Sequence, residues 1–434
     1  MKEFYLKPKF FSALQGYSGQ QFVKDLIAGI IVAIIALPLS IALALASGAE
    51  PQQGIYTAIF AGFTVSLLGG SNIQIAGPTA AFATIVAGVI ASQGMEGLIL
   101  ATLMAGIILI IMGVCKLGGL IKYVPTAITV GFTSGIAVTI LLGQIKDFLG
   151  LTYAPGTVAV ETFEKVKANI SALGSFSWQS LVIGVICLAI LIIYPKFEKR
   201  VPPSLIAVIV SVLMVAFIPL FSENVATIGG LYPNIKAGFP KFTLGGLDFS
   251  FDKALAVLPD AFTIAVLAAI ESLLSCVVAD KMVDSKHNPN AELVAQGAGN
   301  MLSVMFGGIP ATGAIARTAA NAKNGGNTPV AGMVHAVVLL LVILFLLPLA
   351  KLIPMPAIAA ILFMVAYNMS EWRSFVKIIK TDKWYNIVVL VLTFVLTVVF
   401  DLVVAIAVGL IVHFGIVIVK KLFVKEVKNY CKNF

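Results

Sequence analysis

Charge is what this chain has least of. Asp, Glu, Lys and Arg supply 11% of its 434 residues, whereas a water-soluble domain uses about a quarter. Water is thereby excluded as the solvent for most of the chain. Histidine and cysteine are scarcer still, at three and four residues. His287, His335 and His413 show no metal-ligand spacing. Cys115, Cys187, Cys276 and Cys431 are scattered and read as free thiols, three of them in or beside apolar stretches. No resident metal or cofactor is expected. A paired-Asp motif is also missing, which argues against an intramembrane enzyme. Period-2 alternation is absent from the apolar runs, which excludes a membrane β-barrel.

What is present is apolar sequence in blocks. Hydrophobic residues make up 59% of the chain, and stretches such as 26–49, 51–95, 123–145, 293–316 and 324–350 carry no charge at all. A spanning helix needs about 20 such residues, and backbone in lipid must satisfy its own hydrogen bonds, so the spans are helices. We read about fourteen segments, which predicts an all-α polytopic membrane protein. The first half gives 24–48, 52–70, a short 79–92, 97–115, 124–145, 179–195 and 203–221. The second gives 254–279, 291–306, a short 311–322, 328–350, 355–369, 384–400 and 402–420. Residues 1–23 read as a cytosolic lead-in, 222–253 as an extracellular loop, and 421–434 as a short cytosolic tail.

The net charge of +9 is not a nucleic-acid footprint, because Lys and Arg sit in short caps between apolar runs. Lys116, Lys122, Lys196, Lys199, Arg200, Lys281, Lys286, Lys323 and the cluster Arg373, Lys377, Lys380 and Lys383 fall on one side. Both termini are therefore expected in the cytoplasm, and the chain in the inner (plasma) membrane.

Two short segments stand out. Pro78 opens "GPTAAFATIV" and Pro310 opens "IPATGAIART"; Leu39 lies 39 residues before the first, and Glu271 lies 39 before the second. Seven spans per half is an odd number, so the halves enter the membrane from opposite sides as inverted repeats, 24–221 and 254–420. Short, Pro/Gly-interrupted segments at matching positions point to a transporter's binding site. Each is expected to follow an extended stretch and begin near the midplane, with its proline in the first helical turn. Their free N–H groups form an anion site, lined by Thr79, Ala80, Ala81, Thr312, Gly313 and Ala314. The competing reading is close helix packing by small residues.

Two charges sit clearly inside spans, Glu271 and Arg317, and intramembrane charge is functional by default. Glu271 suits a proton acceptor, a cation ligand or a partner of Arg317. Arg317 suits the anion site or a structural role. Ser272 and Ser275 offer further oxygens, although bonding back to their own helix is the expected state.

Residues 50–86 ("EPQQGIYTAIFAGFTVSLLGGSNIQIAGPTAAFATIV") and 307–336 ("GGIPATGAIARTAANAKNGGNTPVAGMVHA") resemble two signature regions of the SulP sulfate permease family. The resemblance implies a seven-plus-seven inverted repeat, with a core of spans one to four and eight to eleven facing a gate, and elevator-like alternating access. By position it implies a substrate pocket at the Pro38–Ser40 break, Pro78–Ala80 and Thr312–Ala314. It implies a coupling-ion position at Glu271, with Ser275 supplying a hydroxyl. The family's sodium-using members tend to have Asp at that position and Thr where Ile315 stands, so a proton suits Glu271 better and sodium is the alternative. The expected substrate is a small anion: sulfate, bicarbonate or a dicarboxylate. The resemblance is to a bacterial-type member lacking the C-terminal STAS domain, with a homodimer possible. A nucleobase permease and a passive anion channel share this architecture and remain alternatives.

Overall fold

The computed structural model describes residues 6–119, 125–155, 157, 159, 161–198, 201–233, 238–245, 250–400, 404–413 and 415–416. The predicted tail 421–434 and residues 402–403, 414 and 417–420 of the last predicted segment lie outside them.

The chain is helical, and the helices fall where the apolar blocks predict. The first half runs α1 (Gly19–Ala46), α2 (Pro51–Leu68), strand β1 (Ala76–Gly77), α3 (Ala80–Val114), α4 (Thr126–Leu149), α5 (Thr162–Ser171), α6 (Trp178–Ile193) and α7 (Pro203–Phe217). The second half runs α8 (Phe251–Val283), α9 (Pro289–Met305), strand β2 (Thr312–Gly313), α10 (Ile315–Lys323), α11 (Val330–Phe345), α12 (Met355–Met369), α13 (Trp372–Thr381), α14 (Trp384–Val399) and α15 (Val404–His413). The order of elements repeats, down to the ten-residue helices α5 and α13.

Local chemistry sets the boundaries. The Ser18 hydroxyl accepts the Gln21 N–H at the start of α1, and the Asn288 side chain accepts from Asn290 and Ala291 at the start of α9, leaving Pro289 where its missing N–H costs nothing. Within α3, Gly94 adopts φ 72°, ψ −178°, a conformation open to glycine at little cost. That break divides α3 into 80–93 and 95–114, the two segments predicted there. Among the described residues, five helices are long and apolar enough to cross a bilayer: α1, α3, α4, α6 (extended to Lys196) and α8.

One expectation about α1 is corrected. Pro38 does not break it; the helix runs through Pro38 to Ala46. Proline removes one backbone donor, but Pro38 and Ser40 are both buried, and surrounding helices can support the backbone there.

The helices sort into two packed groups. In the core group α9 packs on α2 and α3, α8 on α3, and α11 on α1 and α2. Close approach is built in: a Cβ on Gly297 would lie 2.5 Å from the Gly106 carbonyl oxygen, so α9 and α3 meet backbone to backbone. In the gate group α4 packs on α12 and α14, and α6 on α7 and α12.

Between these helices, two extended stretches pass through the centre of the core, antiparallel. Ala76 faces Gly313 and Gly77 faces Thr312 across the β1–β2 pair. Non-helical backbone at membrane depth must be held by protein, and here it is. Asn300 donates to the Ala311 carbonyl and accepts its N–H, both at 2.8 Å. Thr57 accepts the Ile309 N–H at 2.7 Å, and Ser303 donates to the Ile309 carbonyl. On the other stretch, Glu292 accepts the Gly70 N–H, Asn321 donates to the Ile73 carbonyl and Thr318 accepts the Ile75 N–H.

Asn300→Leu leaves both polar groups of Ala311 unpaired, at about 1–3 kcal/mol each. A thermal melt in detergent is expected to show a loss of about 2–6 kcal/mol of stability. An unchanged melt would mean the stretch holds itself.

Candidate functional site

Arg317 sits in the first turn of α10, behind the exposed Ile315 and Ala316, and is itself 0% exposed. Its Nη2 donates to the Pro78 carbonyl at 3.1 Å and to the Ser40 hydroxyl at 3.3 Å. Its Nε and Nη1 have no protein partner. Among the described residues no carboxylate forms an ion pair with it. A buried cation without a counter-charge is costly, and this one adds to the positive end of the α10 dipole. Gly77 makes room for it: a Cβ there would lie 2.0 Å from Nη1.

Glu271, partly buried on α8, takes a different partner. Its carboxylate accepts the Thr79 hydroxyl at 2.8 Å, and Thr79 is the N-cap of α3. The reading of Glu271 as the partner of Arg317 is thus not what the structure shows. The two charges are linked instead through the Pro78–Thr79 junction, one held by the carbonyl of Pro78 and the other by the Thr79 side chain. Ser40, Pro78, Thr79, Glu271 and Arg317 therefore form one connected group.

The rest of the predicted lining is rearranged. Thr312 and Gly313 do not begin a helix, and Pro310 lies outside the first turn of α10; Pro78 likewise precedes the helical residues of α3. The reason is competition for donors. The Gly313 N–H donates to the Ser272 hydroxyl at 3.0 Å and the Ala314 N–H to the Ile75 carbonyl at 2.9 Å. Extended pairing thus delays helix nucleation to Ile315. The unsatisfied first-turn donors belong to Ala80 and Ala81 on one side and to Ile315, Ala316 and Arg317 on the other. Gly313 is small because Gln74 lies against it, 2.5 Å from a would-be Cβ, not because it lines open space.

The hydroxyls of α8 also point outward from their helix. Ser272 pairs with Thr312 at 2.7 Å, and Ser275 with Thr318 at 3.4 Å. Both were expected to bond within their own helix.

Three buried titratable groups, Asp25, Glu292 and His335, were given no role from the sequence. Asp25 (0% exposed) accepts from Tyr17, Gln21, Asn327 and Thr328, tying α1 to the α10–α11 connection. Glu292 (0% exposed) accepts from Gln74, Gln296 and Gly70. Both stand at a span's edge, where a charge ordinarily means solvent. The signal that could have found Glu292 is its place in the first turn of a capped helix whose opposite neighbour is a Gly–Gly pair. The third, His335, is buried on α11 with both ring nitrogens unpartnered.

Cavities at the boundary of the two helix groups lie on either side of this centre. One of about 840 Å³ is lined by Thr84 and Gly88 of α3, Pro259 and Thr263 of α8, Thr139 of α4 and Thr397 of α14. The other, of about 730 Å³, is lined by Ile35 and Leu39 of α1, Ala320 and Lys323 of α10, and Ile361 and Met364 of α12.

Inverted halves that meet at a central charge, with openings on two sides, make this a multi-pass membrane transporter rather than an enzyme. The chain belongs to the sulfate permease family, whose model matches residues 22–393. It is 45% identical over 411 residues to the Bacillus subtilis protein named "Putative sulfate transporter YvdB", covering 94% of this chain and 75% of that one. It is 34% identical over 399 residues to the bicarbonate transporter BicA of Picosynechococcus, covering 89% and 69%. The fold is similar to the transmembrane domain of a cyanobacterial BicA, with a TM-score of 0.79 at 29% identity over 90% of this chain and 98% of that one. It also matches the murine Slc26a9 anion transporter in its inward-facing state, with a TM-score of 0.85 at 18% identity over 97% and 72%; that likeness speaks for the fold alone.

If Arg317 faces an anion, Arg317→Gln loses a charge-assisted hydrogen bond and weakens anion binding about ten- to a hundredfold. Gly77→Ala, which pushes the guanidinium aside, is expected to have the same sign. Anion-dependent thermal shifts of the purified protein measure both. Unchanged shifts with sulfate, bicarbonate and dicarboxylates would place the anion elsewhere.

Proposed function

We propose that this chain is a secondary active transporter of a small anion, working as a proton-coupled symporter by an elevator motion of core against gate. One observation carries the reading: a fully buried arginine with two unpartnered nitrogens, among first-turn backbone donors of two opposed half-helices. A small anion with several oxygens, such as sulfate, bicarbonate or a dicarboxylate, supplies the missing acceptor. Pro38, Ser40, Pro78, Thr79, Ala80, Thr312, Gly313, Ala314 and Arg317 remain the proposed pocket. Within it, Thr79, Ala80 and Arg317 are the groups placed to touch the anion, and Ser40, Thr312 and Gly313 hold its frame.

Glu271 is the proposed coupling group. Its hydrogen bond from Thr79 joins its state to the N-cap of α3. Protonation would weaken that acceptor and change the field at the anion, linking the two binding events. The cavities at the core–gate boundary support an elevator path, since each borders core helices on one side and gate helices on the other. We place the protein in the inner membrane with both termini cytoplasmic, on the Lys/Arg distribution.

A second reading, sodium-coupled bicarbonate symport, draws support from the Ser275–Thr318 hydroxyl pair one turn along α8 from Glu271, and from the likeness to BicA. Uptake of labelled sulfate, bicarbonate and succinate into liposomes under an imposed proton or sodium gradient distinguishes the two.

Glu271→Gln keeps an acceptor for Thr79 and so preserves the fold. It is expected to abolish stimulation of uptake by a proton gradient while leaving anion binding measurable. Undiminished proton-driven uptake would remove Glu271 from coupling.

A further inference from the structure

α13 connects two gate helices, and its faces are sorted three ways. Phe375 and Ile378 turn inward, Phe375 packing edge-on against Phe394 of α14 with ring centroids 5.4 Å apart. Trp372, Val376 and Ile379 form a second apolar strip, at 48%, 37% and 42% exposure, with the Arg373 guanidinium 5.5 Å from the centre of the Trp372 ring. Arg373, Lys377 and Lys380 form a third strip, within about 60° of one another on the helix; all three are exposed. No residue of α13 is buried.

A water-facing helix needs no bare apolar strip, and a helix docked on protein would not border one with three cations. The arrangement suits a helix lying in the headgroup layer of a bilayer. The flanking spans agree. α12 has 15 residues and α14 has 16, about 23 Å at 1.5 Å per residue. Both are uncharged, and the charges between them fall on α13 and its flanks, which places α13 where the chain leaves the hydrocarbon core. Trp372 and Trp384 stand at the starts of α13 and α14, where interfacial tryptophans collect.

The inverted repeat supplies an internal comparison. α5 precedes α6 as α13 precedes α14, but α5 mixes Glu164 with Lys165 and Lys167, whereas every charge within α13 is positive. By the inversion the two lie in opposite leaflets.

We propose that α13 binds anionic phospholipid. Trp372, Val376 and Ile379 sit among the acyl chains, and Arg373, Lys377 and Lys380 hold the phosphate-bearing headgroup, tying the gate group to one leaflet. Lipid is the occupant because apolar and basic strips adjoin along one helix, matching a molecule that is apolar at one end and anionic at the other.

The full chain, purified with phosphatidylglycerol or phosphatidylcholine, tests this without any transport assay. With W178F and W384F in place, Trp372 is the remaining tryptophan of three. Its fluorescence is expected to be quenched by lipid brominated near the headgroup and shielded from aqueous iodide. In native mass spectra, R373Q, K377Q and K380Q are expected to lower phosphatidylglycerol retention about fivefold per charge, with phosphatidylcholine unchanged and R373K, which keeps the charge, retaining the lipid. K165Q/K167Q on α5 is expected to leave retention unchanged. Iodide quenching without bromolipid quenching would overturn the proposal. So would undiminished phosphatidylglycerol retention in the triple variant, an equal loss from the α5 variant, or displacement of the lipid by inorganic phosphate alone.

Discussion

Every backbone N–H and C=O at membrane depth needs a partner, and the centre of this protein is organised around two stretches that cannot supply their own. Residues 69–79 and 306–314 leave the helical state in the middle of the core. They survive because they pair with each other at β1–β2 and because side chains from the surrounding helices complete them. Asn300, Ser303 and Thr57 serve one stretch; Glu292, Asn321 and Thr318 serve the other. The half-helices beyond them inherit their position from this pairing. Shifting the register by one residue would move Arg317, Thr79 and the first-turn donors together.

The pairing also explains an asymmetry between the halves. Backbone geometry is repeated, but chemistry is not. The second half contributes Glu271 and Arg317, and the first contributes the groups that receive them, Thr79 for the acid and Ser40 with the Pro78 carbonyl for the base. Charges of opposite sign at the centre of a membrane protein would ordinarily be expected to pair. Here they are held apart by the Pro78–Thr79 junction, which leaves Arg317 with unpartnered nitrogens and Glu271 with a neutral partner.

The spans, the division of 79–115 into two segments, the extended lead-ins and the approximate twofold relation were all legible in the sequence, because each has a one-dimensional signature: apolar length, a proline, a matched spacing. The sites were legible only in part. Glu271 and Arg317 stood out as charges in apolar runs. Ser272 and Ser275 stood out as further oxygens but were expected to bond within α8; their partners Thr312 and Thr318 had no local signature. Asp25 and Glu292 looked like edge charges because their donors, Asn327 and Gly70, are far away in the chain.

The sequence by itself determined that this chain lives in lipid, that it is helical, and that two inverted halves converge on short segments that follow Pro78 and Pro310. Those are consequences of solvent and of local backbone preference. Tertiary structure decided which backbone donors remain free. Gly313 and Ala314, candidates by sequence, are consumed by Ser272 and Ile75, while Nε and Nη1 of Arg317 are left without a partner. A hydrogen bond between strands or helices distant in sequence has no local signature, so the polarity of the site is known only once the two stretches have crossed.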